Sequence, residues 1–216
     1  MRAVARGARR MKSRFGAALE PFTLVHLTFY ERENRELVTI SQVEILRSNF
    51  DLAARPEAAE VLAYMAELVS EFAPPHEANE KLFRMVAACV DGLRETPAAA
   101  TAMLRYFEVW LLRLAGLFPD WRNCTGCGAP IAIESGNYLD FEGRIHCKAC
   151  SKGAGMQLTR DTQQTIEEIQ RLSPTQFAKD RALFPTSANE QLGELTHRLI
   201  TRAIDRRPRT LISLRA

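Results

Sequence analysis

The hydrophobic rhythm of the chain changes twice. Residues 23–30 and 37–45 are runs of β-branched and aromatic residues, a composition that predicts two strands. The polar bridge at 31–35 predicts the turn of a hairpin between them, and residues 3–5 would end a further strand, with Gly7 and Gly16 as loop punctuation. From Pro56 onward the period becomes helical. Pro56 suits the first position of a helix, and Val61, Met65, Leu68 and Phe72 recur at three and four residues to make one apolar face before Pro74 and Pro75 end it. A second helix follows with Leu82, Val86, Cys89 and Leu93 in line. Thr96 and Pro97 then predict the start of a third, striped by Met103, Phe107, Trp110, Leu114 and Leu117. Three amphipathic helices with short joins imply a small bundle. Helical signals return over about residues 159–172 and 188–204, with Leu192, Leu195 and Leu199 on one side of the last and with Pro174 and Pro185 breaking the chain between.

Composition changes this picture little, and charge changes it more. At 216 residues, 46% hydrophobic and 25% charged, the chain is ordinary for a globular protein that buries its own core. Its apolar runs are a few residues long, far below the roughly 20 needed to span a bilayer, and no secretory signal pattern is present, so the expected location is the cytoplasm. The formal net charge of +3 averages two basic ends and an acidic body. Arg2, Arg6, Arg9, Arg10, Lys12 and Arg14 stand in the first 19 residues without one acid. Arg198, Arg202, Arg206, Arg207, Arg209 and Arg215 stand near the other end against Asp205 alone. Such clusters suit a polyanion, because each phosphate neutralised releases counterions; solvated tails are the plainer alternative. Arg198 and Arg202 equally fit the exposed face and last turn of a helix.

Four of the five cysteines are paired in sequence. Cys124-Thr-Gly-Cys127 and Cys147-Lys-Ala-Cys150 are two C-x2-C knuckles at the spacing of a four-cysteine zinc site, and Gly126 and Gly128 suit the tight turn of the first. A short hairpin around Glu142-Gly143, between residues 137–141 and 144–146, would complete a zinc ribbon. Two disulfides or an iron–sulfur cluster are the competing uses of the same four thiols. Four thiolates close a tetrahedral shell, so the ion would be structural and His146 superfluous as a ligand. Cys89 lies on an apolar helix face and reads as a core residue. The histidines at 26, 76, 146 and 197 are scattered, Glu167 and Glu168 sit in a helical pattern as solvent-facing residues, and phosphate-loop, dinucleotide and metalloprotease motifs are lacking. The chain therefore reads as a binding protein and not an enzyme.

The stretch from Val4 to Phe15, followed by Leu19-Glu-Pro-Phe22, resembles the N-terminal OB-type barrel segment of the RecO family of bacterial DNA repair and recombination mediators. The order of later elements agrees with that family: strands, helices, Phe118-Pro-Asp120 leading to the first knuckle, the second knuckle, and a basic C-terminal helix. The resemblance implies an α+β, mostly α chain: an incomplete OB-type β-barrel over residues 1–50, then a helical domain over 51–216 with the zinc ribbon inserted at 124–150. An OB barrel has five strands, so about 25 residues carrying the first ones would be missing ahead of Met1. It further implies a mediator that binds single- and double-stranded DNA through Arg2, Arg6, Arg9, Arg10, Lys12 and Arg14, with Phe15, Phe22 or Tyr30 available to stack on bases. Such a protein anneals strands and, with RecR, assists RecA loading on SSB-coated DNA; its cofactor is one structural Zn2+ on Cys124, Cys127, Cys147 and Cys150. The other reading is a helical and zinc-ribbon module that docks protein partners without effective DNA binding.

Overall fold

The computed structural model describes residues 2–32, 37–73, 77–133, 136–181 and 184–211, which form two compact units, 1–80 and 81–216. Among the described residues no helix is long and apolar enough to cross a membrane. The mostly helical α+β character expected from the sequence is observed.

The first unit carries strands β1 (Arg2–Val4), β2 (Leu24–Tyr30) and β3 (Leu37–Arg47) in the order β1-β3-β2, with β1 parallel and β2 antiparallel to the central β3. The turn expected at 31–35 extends beyond the described residues, as do Pro74, Pro75 and His76. In β3, Val38 and Ile40 share one phase of the alternation and Val43 and Ile45 fall in the other. An irregularity between Thr28 and Phe29 of β2, opposite Ser41, absorbs the extra residue, and Ser41 Oγ donates to the Thr28 carbonyl at 3.0 Å. Phe29 then pairs with Ile40, Leu27 with Val43 and Val25 with Ile45 on one face, while His26 pairs with Glu44 and Thr28 with Gln42 on the other. The short helix α1 (Phe50–Ala53) and then α2 (Pro56–Phe72) follow, the latter burying Val61, Met65 and Leu68 as its periodicity predicts.

The second unit is built around α4. Helix α3 (Glu80–Glu95) buries Leu82, Cys89 and Leu93, so Cys89 is the core residue expected, its thiol pushed up by burial. A 3-10 turn at Pro97–Ala99 leads into α4 (Ala100–Leu114), which is buried nearly all round. Its expected stripe holds through Met103, Phe107 and the half-buried Trp110; Leu114 is exposed, and Leu117 falls beyond the helix end. The ribbon strands β4 (Tyr138–Leu139) and β5 (Ile145–His146), short helix α5 (Lys148–Ser151) and strand β6 (Met156–Gln157) come next, ordered β5-β4-β6. The expected hairpin is thus widened by a third strand.

Helix α6 (Arg160–Arg171) starts where Thr159 Oγ1 accepts from the Thr162 amide, and its last carbonyls are met by α4. Trp110 Nε1 donates to Ile169 O at 2.8 Å and Tyr106 Oη to Leu172 O at 2.9 Å, pairing carbonyls that a helix end leaves without partners. Pro174 does not simply break the chain: it stands in the first turn of α7 (Pro174–Asp180), capped by Ser173. Glu168, expected to face solvent, is partly exposed and is also paired, since both its oxygens accept from Arg181 at 2.6 Å. Helix α8 (Thr186–Ala203) packs along α4 and α6.

Candidate metal centre and basic segment

The ribbon is fixed to the helices before it offers any ligand. Leu139, Ile145 and Leu158 bury against Leu195 of α8, with Trp121, Met156 and Leu199 packed around them. Gly143, at φ +81°, lets the β4–β5 turn lie on α8, where a Cβ would stand 3.2 Å from Leu199 Cδ2. Buried Asn137 donates to Ala132 O at 2.7 Å and to Gln163 Oε1 of α6 at 2.6 Å. Gln191 of α8 accepts from the Thr159 amide at 2.9 Å and donates to Gln157 O at 2.8 Å.

On this support the two knuckles meet. Gly128 N donates to Cys124 O at 2.8 Å, closing the first turn, and Thr125 N donates to Ile145 O at 2.9 Å, seating that turn on β5. Gly126 lets the two knuckles close on each other: a Cβ there would stand a tight 3.1 Å from Cys150 Cβ and Sγ. The four sulfurs of Cys124, Cys127, Cys147 and Cys150 all lie within 4.8 Å of one another, with Cys127 Sγ and Cys147 Sγ 3.9 Å apart. Thiolates about 2.3 Å from a tetrahedral ion stand roughly 3.8 Å from each other, so the donor set fits one such ion. All four thiols are free, and the disulfide pairing considered from sequence is not observed.

The charge on these sulfurs points the same way. The amides of Cys147 and Gly126 donate to Cys124 Sγ at 3.3 and 3.4 Å, and the hydrogen bond from the Cys147 amide is the main reason the Cys124 thiol is drawn down to about 6. Cys150 is instead pushed up to about 12 by hydrogen bonds with Cys127, Cys147 and Cys124 and by the Cys124 charge. Four sulfurs this close do not all ionise unless a cation sits among them. His146 is no fifth ligand: its Nε2 lies 3.0 Å from Asp140 Oδ2. Asp140 Oδ1 accepts from the Glu142 and Arg144 amides at 2.9 Å, and Oδ2 accepts from Arg144 Nε at the same distance. Partial burial would raise the Asp140 carboxyl, yet His146 and Arg144 outweigh it and hold the group at about 2. This carboxylate locks the turn that carries β5 toward Cys147.

The six basic residues of the N-terminal segment lie along β1 and the turns after it. Ala8 N donates to Ala5 O, Arg10 N to Gly7 O and Ser13 N to Arg10 O, so the backbone coils while Arg6, Arg9, Arg10, Lys12 and Arg14 stay exposed, as Arg2 does in β1. Among the described residues none of the six is joined to a carboxylate. The Arg14 guanidinium lies over the Phe15 ring, 5.0 Å from its centroid. Phe15 itself is only 3% exposed and cannot serve as the stacking platform suggested by sequence; Tyr30 is exposed and Phe22 half-buried. The C-terminal arginines gather too, since Arg198, Arg202, Arg207 and Arg209 border a groove of about 790 Å³ with Leu211. Arg198 is also held by Glu194 at 2.5 Å, and residues 212–216 lie outside the described residues.

Sequence reasoning missed a buried charge network between α4 and α8. Glu108 is 0% exposed; its Oε2 accepts from Arg105 and, at 2.7 Å, from Thr196 Oγ1, while His197 Nε2 lies 3.0 Å from its Oε1. Arg105, 7% exposed, also donates to Asn189 Oδ1 at 2.9 Å. Burial alone would raise the Glu108 carboxyl, but the Arg105 charge, His197 and Thr196 together hold it at about 2. The available signal was an Arg and a Glu three apart in the middle of a helix whose other polar residues, Thr101 and Arg113, stand near its ends.

Two family models cover the chain: Recombination protein O N terminal over residues 1–49 and Recombination protein O C terminal over residues 55–212. A protein named DNA repair protein RecO from Anaeromyxobacter sp. (strain K) is 36% identical over 151 residues, 70% of this chain and 59% of that protein. Another of that name from Koribacter versatilis is 29% identical over 178 residues, 82% of this chain and 72% of that protein. A third, from Anaeromyxobacter sp. (strain Fw109-5), is 30% identical over 188 residues, 87% and 73% of the two. The chain thus spans under two thirds of the first relative's length.

Proposed function

The chain belongs to the recombination protein O family, and from that premise we propose that it is a non-enzymatic mediator of DNA repair and homologous recombination. Arg2, Arg6, Arg9, Arg10, Lys12 and Arg14 follow the phosphates of single- or double-stranded DNA. The observation that carries this reading is the exposed, carboxylate-free run of six cations in the segment that the family's N-terminal model matches. Masking phosphate charge on two strands at once lowers their mutual repulsion and favours annealing. In the same reading the protein works with RecR to bring RecA onto SSB-coated single strands, the DNA-binding domain occupying residues 1–50 and the helical domain 51–216.

The metal in this reading is zinc, held by Cys124, Cys127, Cys147 and Cys150; closed by four sulfurs, it supplies structural cross-linking and no catalytic position. The ribbon residues carry its effect into the helices through Leu195, Gln163 and Gln191.

The test replaces Arg10, Lys12 and Arg14 by alanine in the full chain and follows DNA affinity against salt. Each phosphate that is no longer neutralised flattens the log–log slope by roughly 0.7 to 0.9. Unchanged affinity and slope would remove the basic segment from the interface. A protein that captures its partners yet never binds DNA at moderate salt would instead be the docking module that the sequence offers as the alternative.

A further inference from the structure

The polar face of the β2–β3 ribbon holds a feature that phosphate binding leaves unused. Beside Arg14 and the buried Phe15, a cavity of about 400 Å³ opens over His26 and Thr28 of β2 and over Gln42 and Glu44 of β3. That volume is in the range of small-ligand sites. Register fixes its floor, since His26 stands opposite Glu44 and Thr28 opposite Gln42, with Gln42 and Glu44 two residues apart and so on one side of the strand. The irregularity at Ser41 is what brings these polar residues to the face opposite Phe29, Leu27, Val43 and Ile45.

The lining is wrong for phosphate and right for a base edge. A carboxylate in the floor repels a phosphodiester, so Glu44 opposes the use that the neighbouring cations favour. The same carboxylate accepts hydrogen bonds, and Gln42 offers one acceptor and two donors beside it. Among the described residues neither side chain has a hydrogen-bond or ion-pair partner of its own. Arg14, on the rim, is the group suited to the adjoining phosphate.

We infer that this cavity receives one unpaired nucleobase of a single strand and that Glu44 and Gln42 read its hydrogen-bonding edge, Glu44 accepting from an exocyclic amine. The inference builds on the proposed DNA binding and gives that binding a chemical preference. Cytosine and adenine place an exocyclic amine there; in the same pose thymine turns its O4 carbonyl, an acceptor, toward the Glu44 carboxylate, so thymine is disfavoured. A duplex, whose edges are already paired, cannot use the pocket.

The test measures binding of labelled oligo(dC) and oligo(dT) to the full chain by fluorescence anisotropy at neutral pH across a salt series, for the native chain, Glu44→Gln and Glu44→Ala. The native chain is expected to bind oligo(dC) about fivefold more tightly than oligo(dT) at matched salt, the lower end for a base contact. Glu44→Gln, whose amide donates as well as accepts, should erase or reverse that preference, and Glu44→Ala should erase it. Neither should alter the salt slope, because the same phosphates stay neutralised, and circular dichroism should match the native chain. Equal binding of both oligonucleotides by the native chain, or a preference that survives both variants, overturns the base pocket while leaving the phosphate reading intact. Absence of binding to any oligonucleotide overturns both.

Discussion

Replacing Glu108 by Gln tests the buried network that joins α4 to α8. The amide keeps the volume of the side chain and can still accept from Thr196, but it leaves the Arg105 guanidinium, 7% exposed, without its countercharge. The Glu108 carboxyl lies at about 2 against an ordinary value of 4.5. At about 1.36 kcal/mol per unit, that depression corresponds to about 3 kcal/mol of folded-state preference for the ionised form. Breaking one side of a buried pair independently costs about 3–5 kcal/mol. Because the folded-state value is lowered, the stabilisation is complete above about 4.5 and fades as pH falls toward about 2. At pH 7, Glu108→Gln should therefore lower Tm by about 6–12 °C, at 2–4 °C per kcal/mol for a chain of this size. The gap between the two proteins should narrow on acidification from pH 5 toward pH 2. Replacing both partners with apolar residues, Arg105→Met with Glu108→Leu, should recover most of the loss, since neither charge is then buried alone. Chemical denaturation at pH 7 and at pH 3, with calorimetry, measures all of this. A Glu108→Gln protein within about 1 kcal/mol of native at pH 7 would refute the assignment of the pair as a held charge, as would a deficit that does not shrink with acid.

Purified protein should carry about one zinc per chain by elemental analysis, and Cys124→Ser or Cys147→Ser should lose it; a folded native protein free of metal would contradict the assignment. Gly155→Ala should destabilise the ribbon by about 2 kcal/mol or more and weaken metal retention against a chelator, because the added Cβ would stand 2.3 Å from Leu139 O on a backbone with φ of +94°. Tyr106→Phe should cost about 1 kcal/mol in denaturant unfolding by removing the hydrogen bond to Leu172 O.

What could be read from the sequence was what local chemistry controls. Helix α2 begins at Pro56 because proline suits a first turn, and α6 runs from its Thr159 cap to Arg171, within a residue of expectation at either end. The four cysteines were recognisable because two residues between ligands is a local geometric demand, which the 4.8 Å grouping of the sulfurs meets. What escaped depended on partners distant in sequence. Strand β6 is two residues long and exists only because β4 offers an edge and Gly155 allows the approach. Pro174 has the same local signature whether it ends a helix or opens one, and Ser173 decides. Arg105 and Glu108 look like surface residues until α8 covers them with Thr196 and His197, some 90 positions away. Phe15 looks like an exposed aromatic beside a basic run, and its burial is settled by the fold around it.

The all-round burial of α4 has a consequence for synthesis. Its flanks are completed by α6, α7 and α8, the last ending at Ala203, roughly 90 residues after α4 itself. At a translation rate of about 5–20 residues per second, α4 leaves the ribosome some 5–20 s before its final cover exists. For that interval a helix carrying four leucines, Phe107 and Trp110, with an ion pair not yet enclosed, stands open to water and to other nascent chains. The helix that holds the finished second unit together is thus, in the newborn chain, an exposed apolar segment of the kind that chaperones shield.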